Sequence, residues 1–320
     1  MLLVREQLRR GGTPGAHALS IGVFDGVHSG HRALVSHMLE AAKRRDLTGG
    51  IVTFHPSPIT VLRPEVPVSY LESLEQRVEL LGQLGVEFVT VVPFTSELAQ
   101  VPAEEFARIL VEDAGMRLLV VGENFTLGRD REGTPERLRE LGATLDFEVV
   151  VFPLLQDEGD RVSSTLVRDA LAAGEMERVA TLLGRRYTLR GPVLHGDERG
   201  RSIGFPTLNL GVSPDRALPP DGVYVTRAAL GDGRRMPGCT NIGTRPTFDG
   251  QERRIETHLL DFDGDLYGEV VPIEFHRRLR DEQKFDGVEA LVAQIRSDVE
   301  GTQAYFADLE TGDDPAVTRE

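Results

Sequence analysis

Over its first half the chain alternates short apolar runs rich in β-branched residues with amphipathic stretches, and from about Arg186 that alternation stops. No other feature narrows the fold as far. Strands and helices taken in turn build a parallel sheet covered by helices, whereas short strands separated by Gly, Pro and Asp turns build an antiparallel barrel or sandwich. In the first half, residues 18–24, 50–54, 87–92, 117–121 and 147–152 are expected to be strands, each short and mostly apolar as a strand buried on two faces must be. Helical spacing follows His31 in Leu34, Val35, Met38, Leu39 and Ala42, and returns over 71–84 and 104–111. In the second half, 187–194, 223–230, 254–262 and 266–275 read as strands, with no helical pattern until a closing helix at 287–309. The boundary is set at Gly184, giving domains 1–184 and 185–320.

A length of 320 residues agrees with two domains, since a single hydrophobic core stops growing near roughly 250–300 residues. One cysteine, Cys239, excludes an internal disulfide, and the opening MLLVREQLRR carries charge where a secretory signal would be apolar. A reducing, cytoplasmic setting is therefore expected. No stretch approaches the roughly 20 apolar residues that cross a bilayer, and the acidic end TGDDPAVTRE offers no basic cluster to anionic lipid, so no membrane role is expected. A net charge of −15 argues against nucleic acid as a partner, while leaving a small nucleotide in a locally basic pocket unaffected. Composition makes the last eight or so residues an expected disordered tail. The sequence carries no reading of oligomeric state.

The first strand runs into GVFDGVHSGH at 22–31, with the helix expected to begin where the motif ends. In an open parallel sheet, ligands bind beyond the carboxyl ends of the strands, where a glycine-rich turn lets backbone N–H groups and a helix N-terminus approach phosphate. Gly22, Gly26 and Gly30 lack the Cβ atoms that would block that approach. His28 and His31 stand where their N–H groups meet charge developing on a departing pyrophosphate. The spacing is neither GxGxxG nor a P-loop. Singly, each feature has a plainer reading, since a histidine at a helix start is usually a cap or a solvated residue. His-x-Gly-His directly after a strand is more specific.

This string resembles the phosphate motif of the nucleotidyltransferase superfamily and, over its ten residues, that of bacterial bifunctional riboflavin kinase/FAD synthetases. The resemblance extends from Leu19 to Phe306. It implies an α/β fold: a Rossmann-like nucleotidyltransferase domain with helices on both faces of a parallel sheet, then an antiparallel β-barrel riboflavin kinase domain with a terminal helix. The activities implied are ATP-dependent phosphorylation of riboflavin to FMN in the second half, and adenylyl transfer from ATP to FMN, giving FAD and pyrophosphate, in the first. Catalytic roles are implied for His28 and His31, with ATP or phosphate contacts at Gly22, Phe24, Gly26 and Gly30. VGENFTLGRDREGT at 121–134 resembles the family's flavin and nucleotide segment, making Asn124 and Phe125 flavin candidates, with Gly128 and Gly133 at matching positions. RVSSTLVR at 161–168 resembles the second transferase motif, so Arg161, Ser164, Thr165 and Arg168 become triphosphate candidates. Two hydroxyls and two guanidinium groups in one turn suit several phosphate oxygens, while Ser and Thr there equally suit a helix cap. One segment departs from the family. Where members have Phe-acid-Pro-His-Pro, this chain reads TFHPSP, and His55 and Ser57 change the charge of a loop stiffened by Pro56 and Pro58.

In GRSIGFPTLNL at 200–210, Thr207 and Asn209 lie two apart and share one side if extended. A hydroxyl and an amide oxygen suit Mg²⁺, although Thr-x-Asn alone reads more readily as a strand-end pair. The string resembles the riboflavin kinase signature, which implies Thr207 and Asn209 as metal ligands, Mg²⁺ as the metal, ATP as co-substrate, and Gly204 and Pro206 as nucleotide contacts. DGVYV at 221–225 and TNIGTRPTF at 240–248 resemble segments lining the nucleotide and flavin sites. Within RRIETHLLDF the resemblance makes Glu256 the base for the ribityl 5′-hydroxyl; by itself it reads as a solvated strand glutamate. FHRRLRDEQKF at 275–285 resembles the approach to the last helix, where Leu279, Arg280 and Phe285 are expected to cover the flavin. No histidine pairs with Cys239 at zinc spacing, and no G-x-S-x-G string is present.

Three other readings compete with this one: a riboflavin kinase with a silent N-terminal domain, a flavin-binding regulator, and an adenylyltransferase for another acceptor. The last leaves the C-terminal half without a purpose.

Overall fold

The computed structural model describes residues 1–12, 15–153, 155–157, 159–196, 199–247 and 250–311. The chain divides into two compact units between Ser164 and Thr165. That division falls ahead of the change in texture at Gly184.

The first unit is built on β1 (His17–Gly22), β2 (Thr48–His55), β3 (Phe88–Pro93), β4 (Met116–Gly122) and β5 (Glu148–Phe152). They are hydrogen-bonded in the order β3-β2-β1-β4-β5, every pair parallel. Around them run α1 (Leu2–Gly11), α2 (Ser29–Lys43), α3 (Pro58–Leu62), α4 (Leu74–Gly82), α5 (Ser96–Ala99), α6 (Ala103–Asp113) and α7 (Pro135–Leu145). Successive strand residues point to opposite faces. Leu19, Ile21, Leu119 and Val121 accordingly join a buried cluster with Val4, Phe106, Leu110 and Leu138 of α1, α6 and α7. Ala18, Ile51, Leu118 and Val120 join a second cluster with Val35, Met38 and Leu81 of α2 and α4. The expected helices on two faces are therefore present.

From β1 the chain steps to β2 and β3 on one side, then returns to β4 on the other. This makes the β1/β4 boundary the switch point at which an open α/β sheet leaves a crevice beyond its carboxyl ends. Residues 22–31 and 122–125 emerge there.

Two expected helices have different limits. α2 begins at Ser29 rather than after His31, because His28 takes the N-cap position with extended backbone and its ring accepts from His31 N–H at 3.3 Å. α4 begins at Leu74 rather than at 71, because Ser73 and Gln76 form a reciprocal capping box. Leu71 and Glu72 are thereby left outside the helix, with consequences for the site.

A small hairpin of β6 (Gln156–Asp157) and β7 (Asp160–Arg161) closes the first unit. The second contains α8, which spans the boundary at Ser164–Ala173, α9 (Met176–Leu183), β8 (Tyr187–Leu194), a short α10 (Arg199–Ser202), β9 (Leu208–Leu210), β10 (Gly222–Ala229), β11 (Arg235–Thr247), β12 (Gly250–Leu259), β13 (Val270–Asp281) and α11 (Val288–Thr311). The strands close as an antiparallel barrel in the order β10-β11-β12-β9-β8-β13, so the choice between barrel and sandwich resolves to a barrel. Tyr187, Tyr224 and Phe275 meet inside it, with ring centroids 6.3 and 5.5 Å from Phe275.

β9 and β11 are additional to the expected strands: the first has only three residues, and the second carries Pro237, Gly238, Asn241 and Gly243. β12 ends at Leu259 rather than at 262, ahead of a turn at Asp261 with φ +53°, and β13 starts at Val270 rather than at 266, after Gly268 at φ +79°. The short α10 interrupts the strands where no helix is expected; α1 and α7 are likewise additional. Phe248 and the expected tail lie outside the described residues.

Candidate active sites

Beyond β1 the chain turns tightly. Val27 N–H donates to Phe24 C=O at 3.0 Å, with Phe24, Gly26 and Val27 at φ +53°, +87° and +36°. Positive φ is costly for Phe and more so for β-branched Val, and such residues persist where the surroundings over-determine them. Phe24 and Val27 are buried in the α2-side core. Gly26 N–H donates to the Glu72 carboxylate, with both oxygens in range at 2.8 and 2.7 Å, so Gly26 serves the turn and its N–H is already committed.

His28 and His31 stack, with ring centroids 3.6 Å apart and planes 17° from parallel, and Phe24 meets His31 edge-on at 5.1 Å. Because His28 Nδ1 accepts the His31 N–H, the neutral His28 ring carries its proton on Nε2. The cap contact thus sets the tautomer and does not engage the Nε2–H. A Cβ at Gly30 would sit 3.2 Å from the His28 ring, so the glycine makes room for that ring.

Ser164, the first residue of α8, donates through Oγ to Asp25 C=O at 2.7 Å and ties the second motif to the first. Arg161 is exposed on β7, and Thr165 is exposed on α8 with Arg168 one turn after Ser164. After β4, Phe125 N–H donates to Gly122 C=O at 3.0 Å; its ring is half-buried against the core while Asn124 is exposed.

The departing TFHPSP segment is built in. Its His55–Pro56 bond is cis, Ser57 is buried, and Ser57 N–H donates to Tyr70 Oη at 2.9 Å.

In the barrel the register assembles the site. Glu256 of β12 pairs with Asn209 of β9 on one side and with Asn241 of β11 on the other. Paired residues of antiparallel strands present their side chains on the same face. The three therefore form a row on the outer barrel face, while Ile255 and Thr257 point inward and are buried. Two residues on, His258 bonds through Nδ1 to Pro206 C=O at 2.8 Å and fixes the turn that precedes Thr207.

Two cavities open here. One, of about 290 Å³, is lined by Glu256, Asn241, His258, Arg280, Phe285 and residues of α11. The other, of about 570 Å³, is lined by His195, Arg201, Pro206, Phe262, Asp265 and Tyr267. Thr207 lines both.

Thr207 and Asn209 alternate with the buried Leu208 and Leu210 and so share the outer face, as their spacing predicts. A Cβ at Gly196 would fall 2.2 Å from Asn209 Nδ2, so this glycine leaves a cradle for the amide. Among the described residues no group of three or more His, Cys, Asp or Glu is placed to hold a metal. A hydroxyl and an amide oxygen on one face, with Thr207 bordering both cavities, fit Mg²⁺, which takes few protein ligands and several from phosphate.

Arg280 lines the smaller cavity, but its guanidinium is committed to Asp298 of α11 at 2.9 and 2.7 Å. That pairing fastens α11, which forms one wall of the cavity. Phe285 lies 5.8 Å from that guanidinium, whereas Leu279 lies against Gly301 of α11. Burial and Asp221 push the Glu282 carboxyl up from its ordinary value beside this cavity. Glu72, Arg77 and Asp298 escape a reading of the sequence; Asn241 falls within the 240–248 segment that the resemblance sets at the nucleotide and flavin sites, and the alternation of Glu256 with His258 is the signal for His258.

A doubly wound unit with a histidine-bearing loop at its switch point, followed by a closed barrel whose Thr207 borders both a smaller and a larger cavity, is the architecture of a two-domain transferase. The family description "FAD synthetase" matches residues 12–166, and "Riboflavin kinase" matches 183–306. Bifunctional riboflavin kinase/FMN adenylyltransferases from Listeria monocytogenes and Escherichia coli K12 are each 37% identical, over 91% and 90% of this chain and 93% and 92% of theirs. A solved structure described as a macrolide-efflux protein from Streptococcus pneumoniae superposes with a TM-score of 0.86 at 34% identity, covering 92% of this chain and 96% of that one. Among the described residues no helix is long and apolar enough to cross a membrane. The chain belongs to the bifunctional riboflavin kinase/FMN adenylyltransferase family.

Proposed function

We propose that the two activities of this enzyme, riboflavin phosphorylation and FMN adenylylation, are housed separately, adenylylation in residues 1–184 and phosphorylation in 185–320. Its substrates are riboflavin, FMN and ATP, and its setting is the cytoplasm.

In the kinase half, Glu256 takes the proton of the ribityl 5′-hydroxyl as that oxygen attacks the γ-phosphorus of ATP and ADP leaves. The row Asn209–Glu256–Asn241, with Thr207 shared by the two cavities, carries this reading. Glu256 borders the smaller cavity and Thr207 borders both, which supports a base on the flavin side and an oxygen ligand where the two cavities meet. The smaller cavity takes the flavin, with Phe285 against it, and the larger takes the nucleotide, bordered by the Gly204–Pro206 turn. Thr207 and Asn209 would hold Mg²⁺, which would supply charge neutralisation of the phosphates.

In the transferase half, a phosphate oxygen of FMN attacks the α-phosphorus of ATP and pyrophosphate leaves. His28, through Nε2–H, and His31 stabilise the departing charge, beside the loop of Gly22, Phe24, Gly26 and Gly30. Ser164 orders that loop through Asp25; Arg161, Thr165 and Arg168 hold the triphosphate, and Asn124 and Phe125 meet the flavin.

Glu256→Gln keeps the size of the side chain and removes the base. FMN formation is expected to fall about 10²-fold or more with riboflavin binding by fluorescence quenching retained and FAD formation from added FMN unchanged. Retained FMN formation would assign the base elsewhere.

A further inference from the structure

Behind the phosphate loop lies a buried ionic cluster of which only Asp25 belongs to the two motifs. Arg77 of α4 is fully buried, and its guanidinium is held between two carboxylates, Glu72 at 3.3 Å and Asp25 at 3.6 Å, whose side chains are 2% and 4% exposed. Each carboxylate also accepts a backbone N–H: Glu72 that of Gly26, and Asp25 that of Leu71 at 3.1 Å. Arg77 reaches across to Phe54 C=O at 3.4 Å and lies over the Tyr70 ring, its carbon 5.7 Å from the centroid. Tyr70 Oη in turn accepts Ser57 N–H and contacts Thr60 Oγ1 at 3.3 Å. One short stretch, 70–77, thus grips the loop after β1 and the loop after β2, which leave neighbouring parallel strands at the same edge.

We propose that Tyr70, Glu72 and Arg77 are positioning residues for adenylyl transfer, a clamp that fixes the His28–His31 loop against the 54–60 loop. The inference rests on the reading of the His28–His31 loop as the transfer site. Burying a guanidinium with two carboxylates is a poor route to stability, since well-packed apolar side chains do as well or better. Geometry is what such a cluster supplies: directed bonds hold Asp25 and Gly26, and with them the left-handed turn that aims His28. A displacement of about 1 Å at reacting groups costs up to about 10²-fold in rate. The clamp also accounts for the departing TFHPSP segment, whose Ser57 is tied by its backbone and needs no charged side chain for its place.

The test is steady-state adenylyl transfer with FMN and ATP in Glu72→Gln, Arg77→Lys and the double variant of the full chain, with riboflavin phosphorylation measured alongside. Each single change is expected to lower the adenylylation kcat about tenfold or more, to leave both KM values within about twofold, and to leave phosphorylation kinetics unchanged. Because the residues act as one unit, the double variant is expected to lose no more than the worse single variant. A wild-type kcat in either single variant, or multiplicative losses in the double, would overturn the proposal. So would a lower melting temperature with kcat per folded molecule unchanged. Should the first unit fail to fold in these variants, Tyr70→Phe, which removes one hydroxyl, is expected to lower kcat in the same sense; unaltered kinetics there would also overturn it. His28→Ala with His31→Ala is run in parallel: adenylylation surviving that change would refute the site assignment itself, independently of the clamp.

Discussion

Cys239 shows how a residue can sit in a site without chemistry of its own. It lines the smaller cavity of the barrel, and burial, reinforced by the Asp298 carboxylate, pushes its thiol up from 9.0 to about 12. The thiol stays protonated at neutral pH and is a packing atom, not a nucleophile. Burial likewise moves Tyr224 from 10.0 to about 12. A folded-state pKa above the unfolded one means that the native state holds the proton more tightly. The stabilisation is therefore whole below the unfolded pKa and is lost as pH climbs toward the folded one. Denaturant melts of the barrel unit are expected to be level to about pH 9 and to weaken above it. Cys239→Ala should remove the decline that begins near pH 9 and leave the decline that begins near 10, which belongs to Tyr224. An unchanged pH profile in that variant would mean the thiol is not held neutral by the fold.

Among the elements, the barrel strands depend on a chain of hydroxyls that crosses three of them. Thr226, Thr240 and Thr257 are fully buried, with 2.7 Å between successive Oγ1 atoms. Thr226 commits its only hydroxyl proton to Gly238 C=O at 3.0 Å, so Thr240 donates to Thr226 and Thr257 donates to Thr240. The chain runs one way, and it fixes β12 behind Glu256. Thr240→Val keeps the shape and breaks the chain in its middle, leaving the Thr257 donor buried without an acceptor. A loss of about 1–3 kcal/mol is expected in chemical denaturation of the barrel unit. A neutral effect would show that Thr257 finds another partner. Nothing in the sequence displays this ladder, because three threonines 14 and 17 residues apart become neighbours only through register. The same holds for Asn241 and Asn209 flanking Glu256. The five strands of the first unit are legible because burial on both faces leaves nearly continuous apolar runs. β9 and β11 are not, being short or broken by Gly, Pro and Asn. α1 buries only Val4 and Leu8, too few apolar positions to announce a helix, and is fastened instead by Arg5 and Arg9 to Asp113 at 3.0 and 2.7 Å. Glu72 reads as helical because the apolar spacing runs through it; the capping box at Ser73 starts the helix later than the pattern does and frees the carboxylate for Gly26.

For the whole molecule, the question is whether two chemistries in one chain stand apart. Both apolar clusters flanking the parallel sheet draw all their members from the first unit, and the barrel encloses aromatic residues of its own. Damage at one site therefore need not reach the other. On the proposed assignment, a chain of net charge −15 gathers its polyanionic substrates through local groups, His28, His31 and arginines near one site and oxygen ligands that would hold a divalent cation near the other. The most direct test of separate housing is a chromatographic time course with riboflavin, ATP and Mg²⁺, comparing the unaltered chain with the His28→Ala, His31→Ala double variant. The unaltered chain should form FMN first and FAD after it, and the variant should form FMN at the same rate and no FAD. Equal loss of both products in a variant that is still folded would contradict the separation.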